Sequence, residues 1–295
     1  MSEAVARGTA RPTLRDFLEL SKARIVMMVL MTAGAGFFVA RPDHVDLILL
    51  FHTLVGTAFV AGGTNALNQF MEREFDGMMA RTRKRPLPDG RMSDRVAFGF
   101  AAGIAAFGAV YLWMLANPLA SVLALTTLVT YLFLYTPLKR KTSLCTIIGA
   151  APGAIPPMVG WAAASGSLSP GAWALFGIVF LWQIPHFLAI GWMYRNDYEK
   201  AGFIMLPARD RDGLITGIEA VAAAMLLVPL ALFAPRLGLG GPAFAVGAAV
   251  AATPFLWAAI RFAGDRTVRR ARRLFMMSNV YLLVVMAMVV AIGFL

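Results

Sequence analysis

The sequence predicts an all-α fold: a polytopic membrane bundle of nine transmembrane helices, with the N-terminus in the cytoplasm and the C-terminus in the periplasm. Three observations predict it. Hydrophobic residues make up 59% of the 295 residues and charged residues only 15%, whereas a soluble domain is nearer half apolar and a quarter charged. Apolar runs recur at the length of a membrane span, and the basic residues fall in alternate loops.

Nine segments contain the roughly 20 mostly apolar residues that a spanning helix needs. They are residues 23–40, 47–70, 95–115, 118–136, 144–163, 172–193, 216–235, 243–262 and 274–294. A backbone in lipid must satisfy its own hydrogen bonds, and the period-2 alternation of a barrel does not occur in these segments, so each is predicted to be a helix. We expect residues 1–22 to form a cytoplasmic tail and residues 23–295 a single intramembrane domain.

The basic residues predict the orientation. Of the 27 lysines and arginines, all but Arg41 and Arg236 fall in the tail and in the loops after the second, fourth, sixth and eighth spans. An excess of basic residues in short loops marks the cytoplasmic side, so we expect a multi-pass protein of the cell inner membrane. Because the charges are confined to these loops, the net charge of +11 does not indicate a nucleic-acid partner.

A ladder of polar side chains ends the second span. Asn68, Glu72 and Asp76 recur every four residues, so on a helix they share one face with about 6 Å between neighbours along the axis. We call these three residues the acidic ladder. Such oxygen ligands suit Mg²⁺, a hard cation that also binds phosphate oxygens. A solvated helix end is the simpler interpretation, but Asn65 and Asn68 lie at the edge of an apolar run, where polar groups are costly and tend to face a cavity.

Cationic and aromatic side chains follow the ladder and the fourth span. Arg81 and Arg85 come directly after the ladder, and cations beside a metal site are what a diphosphate leaving group needs. Tyr135 and Lys139 are four residues apart, so both are placed to reach an anion in the same pocket. The alternative is that this pair snorkels toward the interface as part of an aromatic belt.

A second polar cluster follows the sixth span. Asp197 comes three turns after His186, on the same predicted helix face, and would lie opposite the ladder if the two helices are neighbours. Two acidic helix ends in that arrangement are able to hold Mg²⁺ around a diphosphate. His186 itself fits a helix–helix hydrogen bond, a metal or haem ligand, or a proton carrier.

These motifs, taken in order, resemble the intramembrane polyprenyltransferases that attach isoprenoid chains to aromatic rings. They run from the second span to the loop after the sixth, and are Asn68-xxx-Glu72-xxx-Asp76, Arg81-Thr82-x-x-Arg85-Pro86-Leu87-Pro88, Tyr135-Thr136-Pro137-Leu138-Lys139-Arg140, Gly153-Ala154-Ile155-Pro156-Pro157-x-x-Gly160-Trp161, Gln183-x-Pro185-His186-Phe187 and Asp197-Tyr198-x-x-Ala201-Gly202-x-x-Met205-Leu206-Pro207. Within the family they are most similar to the branch that farnesylates protohaem IX (haem b). Ala201 stands where the wider family has a second aspartate, which leaves the number of Mg²⁺ ions open.

The resemblance implies a reaction. Farnesyl diphosphate would ionise, its allylic cation would add to a vinyl group of haem b, and water would add at the neighbouring carbon, giving haem O and diphosphate. It implies Mg²⁺ as the cofactor, with haem b, farnesyl diphosphate and membrane lipid as the molecules bound and haem A synthase as a candidate partner.

The resemblance also implies site residues. The catalytic residues and metal ligands would be Asn68, Glu72, Asp76 and Asp197. The diphosphate would be held by Arg81, Arg85, Tyr135 and Lys139. Candidates for the haem site are His186 and Trp192.

Two other functions stay open. One is a prenyltransferase that acts on another aromatic acceptor, such as a quinone precursor. The other is a secondary transporter of an anionic substrate, which would need polar groups at mid-membrane in both halves of the chain. The polar groups of this sequence gather at the inner edge instead, which favours the prenyltransferase.

Overall fold

The computed structural model describes residues 12–41 and 45–292, and every regular element in these two ranges is a helix. Nine of the helices described there, counting continuous spans, are long and apolar enough to cross a membrane. The all-α, nine-span architecture is therefore confirmed. Arg7, Arg11 and the predicted end of the last span at residue 294 lie outside the described residues, and the orientation of the termini stays a prediction.

The helices follow one another in a simple order. They are α1 (Leu14–Leu20), α2 (Ala23–Ala40), α3 (Leu47–Met78), α4 (Asp94–Leu115), α5 (Pro118–Val129), α6 (Thr136–Leu138), α7 (Cys145–Ala154), α8 (Pro156–Ser165), α9 (Pro170–Met193), α10 (Arg195–Lys200), α11 (Leu206–Arg209), α12 (Leu214–Phe233), α13 (Pro242–Gly264) and α14 (Val268–Ile292). A π-helical turn (Thr130–Tyr135) joins α5 to α6, and a 3₁₀ turn (Ala234–Leu237) follows α12. The helices α7 and α8 form one span that is interrupted at Ile155.

Two spans are longer than the apolar runs predict. Helix α3 continues to Met78, eight residues beyond the predicted end at residue 70, and α14 begins at Val268, six residues before residue 274. Hydropathy detects only the part of a helix that lies in lipid, whereas backbone hydrogen bonding continues where charged residues begin. The extension of α3 carries Glu72 and Asp76 on a regular helix, so the predicted spacing of the ladder holds.

Close helix contacts determine where the spans sit. Helix α2 packs along α8 and also touches α14, so the first and last spans are neighbours. At Gly36 a side chain would collide with the carbonyl of Pro157, and at Gly160 with the carbonyl of Ala33. Small residues that let backbones approach are typical of helix contacts in lipid, where dispersion rather than hydrophobic burial holds helices together. Because successive spans run in opposite directions, the loops after the second, fourth, sixth and eighth spans, which carry most of the basic residues, lie at one end of the bundle. We call this end the loop end.

Part of the predicted tail is a structured element of the bundle. Leu20 of α1 is fully buried, and Gln69 of α3 donates hydrogen bonds to the carbonyls of Glu19 (2.9 Å) and Leu20 (2.7 Å). Arg91 forms ion pairs with Asp16 and Glu19. These contacts fix the segment that leads into α2 and carry Lys22 to the loop end of α3.

Candidate active site

The acidic ladder is buried at the loop end of α3. Asn68 is 1%, Glu72 7% and Asp76 1% exposed. A buried carboxylate is stable only when it is paired or hydrogen-bonded, and each rung meets a cation from a different part of the chain. Lys22 Nζ donates to Asn68 Oδ1 (3.0 Å), Lys139 Nζ to Glu72 Oε1 (2.8 Å) and Arg85 Nη1 to Asp76 Oδ2 (2.6 Å).

The cations influence one another. Burial lowers the pKa of Lys139, but the carboxylate of Glu72 more than offsets it, so the pKa of Lys139 lies well above the ordinary lysine value. Lys22 faces an amide rather than a carboxylate. Burial, followed by the positive charges of Arg85 and Lys139, lowers the pKa of Lys22 to about 7. The loop end is thus crowded with positive charge around two carboxylates, which is an environment that favours a further anion.

The π-helical turn sets the second wall of the site. Thr136 Oγ1 donates to the carbonyl of Tyr131 (2.9 Å) and accepts from Asn68 Nδ2 (3.1 Å). Lys139 Nζ lies 4.6 Å from the centre of the Tyr135 ring. Pro137 has no backbone N–H, so it cannot close the regular α-helical hydrogen bond to the preceding turn. The chain there is consequently able to form the wider π-helical turn. Tyr135 and Lys139 were predicted from the sequence, whereas the role of Thr136 and the π turn were not, and Pro137 was the available signal for that turn.

The loop after α3 connects the two polar clusters. Thr82 Oγ1 donates to the backbone carbonyl of Asp76 (2.8 Å). Arg81 Nη2 donates to Tyr198 Oη (3.0 Å), and the Arg81 guanidinium lies 4.7 Å from the centre of the Tyr194 ring. The structure therefore brings the segment after α9 against the loop that follows the ladder, as expected for two acidic helix ends that face each other.

Asp197 differs from its predicted placement. Helix α9 ends at Met193, and Tyr194 (φ −116°, ψ 21°) separates it from α10. His186 and Asp197 are therefore on different helices, and the prediction that they share a helix face is wrong, because the break at Tyr194 turns the chain. Asp197 is half-buried, and its carboxylate makes no hydrogen bond or ion pair with any residue in the described ranges.

The donor set of the ladder fits a hard cation. Within residues 12–41 and 45–292, no group of three or more His, Cys, Asp or Glu side chains is close enough together to hold a metal ion alone. The four predicted ligands therefore do not form one cluster. Glu72 and Asp76 each use one carboxylate oxygen in an ion pair and keep the other available. Two carboxylates and an amide oxygen are the partial ligand set that Mg²⁺ accepts when a phosphate supplies the rest.

The two haem-site candidates have structural partners. His186 Nδ1 lies 2.8 Å from Ser278 Oγ of α14, and its ring packs between Trp182 and Phe275. Trp192 is buried and donates its indole N–H to the carbonyl of Arg266 (2.7 Å). His186 is half-buried and keeps one ring nitrogen, Nε2, without a partner among the described residues.

A small apolar crevice of about 20 Å³ lies between α2, α3, α5 and α8. Its walls include Thr64, one turn before Asn68, and then Val60 and Thr57 along the same helix. Val29 of α2, Val159 of α8 and Ala124 of α5 also line it. Its lining is apolar apart from threonine side chains, and its volume is close to that of a single water molecule.

Comparisons with known proteins identify the family of the chain. The sequence profile of the UbiA prenyltransferase family matches residues 29–294. The protoheme IX farnesyltransferase of Solibacter usitatus is 45% identical over 280 residues, which cover 91% of this chain and 95% of that protein. The protoheme IX farnesyltransferase of Koribacter versatilis is 42% identical over 291 residues, covering 95% and 93% respectively.

Solved structures share the fold at low sequence identity. A structure from work on digeranylgeranylglyceryl phosphate synthase superposes with a TM-score of 0.77 at 18% identity, covering 95% of this chain and 98% of that chain. A UbiA homologue from Archaeoglobus fulgidus, bound to GPP and Mg²⁺, superposes with a TM-score of 0.58 at 16% identity, covering 94% and 99%.

Proposed function

The chain belongs to the UbiA prenyltransferase family, and on that premise we propose that it transfers a farnesyl group from farnesyl diphosphate to a vinyl group of haem b, giving haem O and diphosphate. The observation that carries the proposal is the buried acidic ladder, surrounded by cations at one end of an apolar bundle. The names of the curated relatives support farnesyl as the donor group and protohaem as the acceptor.

The cations are placed to receive the diphosphate. Arg85 and Lys139 are bonded to the ladder, and Arg81, in the loop that follows it, is bonded to Tyr198. When bound at Glu72 and Asp76, Mg²⁺ would supply neutralisation of the diphosphate charge as the leaving group departs. The two carboxylates would then turn toward the metal, and Arg85 and Lys139 would be free to donate to phosphate oxygens.

The apolar lining of the crevice suits the farnesyl chain of the donor. Breaking the C1–O bond of farnesyl diphosphate leaves an allylic cation, which bulk water would quench, so the reaction needs a dry cavity next to a polar edge. Thr64 of the crevice wall lies one turn before Asn68, and because the volume of the crevice is only about 20 Å³, the surrounding helices would move apart to admit the farnesyl chain. The cation adds to the terminal carbon of the vinyl group, and one water adds at the neighbouring carbon with loss of a proton.

The cellular arrangement follows from the charge distribution. We propose that the loop end faces the cytoplasm and that the chain lies in the cell inner membrane, because the basic loops gather at that end. Diphosphate would then enter and leave on the cytoplasmic side. A haem A synthase that consumes haem O is the partner protein we propose.

A parallel acceptor assay tests the proposal. The purified full chain in detergent is given farnesyl diphosphate and Mg²⁺ with either haem b or an aromatic acid typical of quinone precursors, and the products are identified by mass. We expect haem O from haem b and no prenylated aromatic acid. If the aromatic acid is prenylated and haem b is left unchanged, the acceptor is a quinone precursor and the proposed function is wrong.

A further inference from the structure

A groove separate from the acidic ladder lies between the end of α9 and the first turns of α14. Its volume is about 350 Å³, within the range of small-molecule sites. Its lining combines apolar and aromatic side chains with one cation, and consists of Met193, Tyr194, Val268, Arg272, Phe275 and Met276. Such a lining suits an amphiphile that has an apolar chain and an anionic group.

One stripe of α14 forms the longer wall of the groove. Arg272 follows Val268 by four residues, and Phe275 and Met276 follow Arg272 by three and four, so these side chains share a helix face. Val268 and Met276 are both exposed. The stripe therefore faces out of the bundle, where a spanning helix meets lipid.

The wall of the groove changes character at the membrane edge. The apolar run of the last span begins at residue 274, so Phe275 and Met276 lie at the depth of the acyl chains. Arg272 comes before this run, about 6 Å from Met276 along the helix axis, and lies at the level of the headgroups. Tyr194 directly follows the last residue of α9, at the edge where aromatic side chains are typical. An apolar wall below a cationic edge matches the two ends of a phospholipid.

Arg272 has no anionic partner within the described part of the chain. Residues 261–273 include six arginines and a single acidic residue, Asp265, which pairs with Arg270 at 3.6 Å. The exposed Arg272 makes no hydrogen bond or ion pair with any described residue. A guanidinium in this state presents its planar set of donors to a phosphate.

Orientation of the chain and snorkelling are simpler roles for these arginines. Orientation depends on the number of basic residues in a loop, and snorkelling needs only a long side chain. Neither role depends on which face of α14 carries the charge. Arg269 and Arg273 also have no ion-pair partner among the described residues, but they do not line the groove. The groove therefore distinguishes Arg272 from arginines of equal charge.

We propose that this groove binds one acidic phospholipid, with the phosphate on Arg272 and an acyl chain against Phe275 and Met276. Basic pockets between spanning helices suit anionic headgroups, because the cation adds to the attraction between basic loops and a negative leaflet. The inference does not depend on the proposed function. The Tyr194 ring lines the groove and also lies 4.7 Å from the Arg81 guanidinium, so a bound lipid would pack beside the ring that supports Arg81.

Lipid binding by the purified full chain tests the contact with Arg272. The delipidated chain in detergent is titrated with dioleoylphosphatidylglycerol or, separately, with dioleoylphosphatidylcholine, and bound lipid is counted by native mass spectrometry. We expect wild type to bind one phosphatidylglycerol about tenfold or more tightly than phosphatidylcholine. Arg272→Gln should lose this preference, since a charge-assisted hydrogen bond is removed. Arg273→Gln, an equal change of charge at an exposed position outside the groove, should keep it.

Several results would overturn the proposal. Equal binding of the two lipids by wild type would show that the groove does not select an acidic headgroup. An equal loss of preference in Arg272→Gln and Arg273→Gln would indicate a diffuse attraction to the basic loops. If glycerol 3-phosphate, which has no acyl chains, binds as tightly as phosphatidylglycerol, the groove is an anion site and not a lipid site.

A second pair of variants tests the acyl-chain wall. Met276→Gln removes apolar surface from the groove and leaves Arg272 in place, so the affinity for dioleoylphosphatidylglycerol should fall roughly fivefold. Met225→Gln on α12 is the matched control, because Met225 is as exposed as Met276 and lies outside the groove. If the Met276 variant binds phosphatidylglycerol as tightly as the Met225 variant, the acyl chain does not lie in the groove and the proposal is wrong.

Discussion

The two polar segments that meet at the loop end differ in how their charges are held. On the first, Asp76 and Glu72 are buried and each is bonded to a cation within 2.8 Å. On the second, Asp197 is half-buried and has no ion-pair partner among the described residues. One segment is organised before any ligand arrives, whereas the other presents a free carboxylate beside the aromatic residues that hold Arg81.

The difference indicates unequal roles. A buried ion pair contributes little net stability, because desolvation offsets most of the Coulomb attraction. The cluster around the ladder is therefore poorly explained as a stabilising device and is better explained as a preorganised site for charge. Asp197, which is in contact with solvent, is expected to adjust to the ligand rather than to define its position.

Removing divalent cations should have the largest effect. If the available oxygens of Glu72 and Asp76 bind Mg²⁺ with the diphosphate, excess EDTA should reduce haem O formation to background, and added Mg²⁺ should restore it. The measurement is product formation by the purified chain with and without chelator. Full activity in excess EDTA would show that the reaction needs no metal ion. The lysine and arginine side chains alone would then neutralise the leaving group.

Asp76→Asn should be the most damaging substitution of the ladder. It removes a carboxylate at 1% exposure and leaves Arg85 without its partner, so we expect kcat/KM to fall about 10²–10³-fold, as when one preorganised electrostatic contact is lost. The matched control is Glu74→Gln on the same helix, whose side chain is 74% exposed. Near wild-type turnover in Asp76→Asn would show that the ladder does not carry the chemistry.

Lys139→Gln should act mainly on the donor substrate. Loss of a charge-assisted contact to phosphate predicts an increase in KM for farnesyl diphosphate of roughly 10- to 100-fold. Lys141→Gln, an exposed lysine two residues further on, should leave KM unchanged. If the Lys139→Gln variant has a normal KM but lower thermal stability, Lys139 does not bind the diphosphate and serves only as a structural partner of Glu72.

Much of the fold was predictable because lipid imposes simple rules. Apolar length and loop charge identified nine spans and the single polar end, and the four-residue spacing identified the ladder on α3. The partners of the ladder were predictable only in part. Arg85 and Lys139 follow from motifs, but Lys22 looked like an orientation signal, since nothing local shows that α1 is fixed to α3 by Gln69.

What could not be predicted depends on breaks in helices. The π turn that presents Thr136 and the bend at Tyr194 are local departures from a regular period, and helical periodicity assumes that such departures do not occur. The pairing of Tyr194 and Tyr198 with Arg81 joins positions more than a hundred residues apart. Only tertiary structure shows that these two rings hold Arg81.

Asp197→Asn should give the smallest effect and tests the comparison directly. A half-exposed carboxylate without an ion-pair partner in the described residues interacts through solvent, where one charge contributes up to about 1 kcal/mol, so we expect kcat/KM to fall about fivefold. Glu199→Gln, exposed on the same helix, is the control. If Asp197→Asn is as inactive as Asp76→Asn, the two segments contribute equally, and Asp197 must move onto the metal when the diphosphate binds.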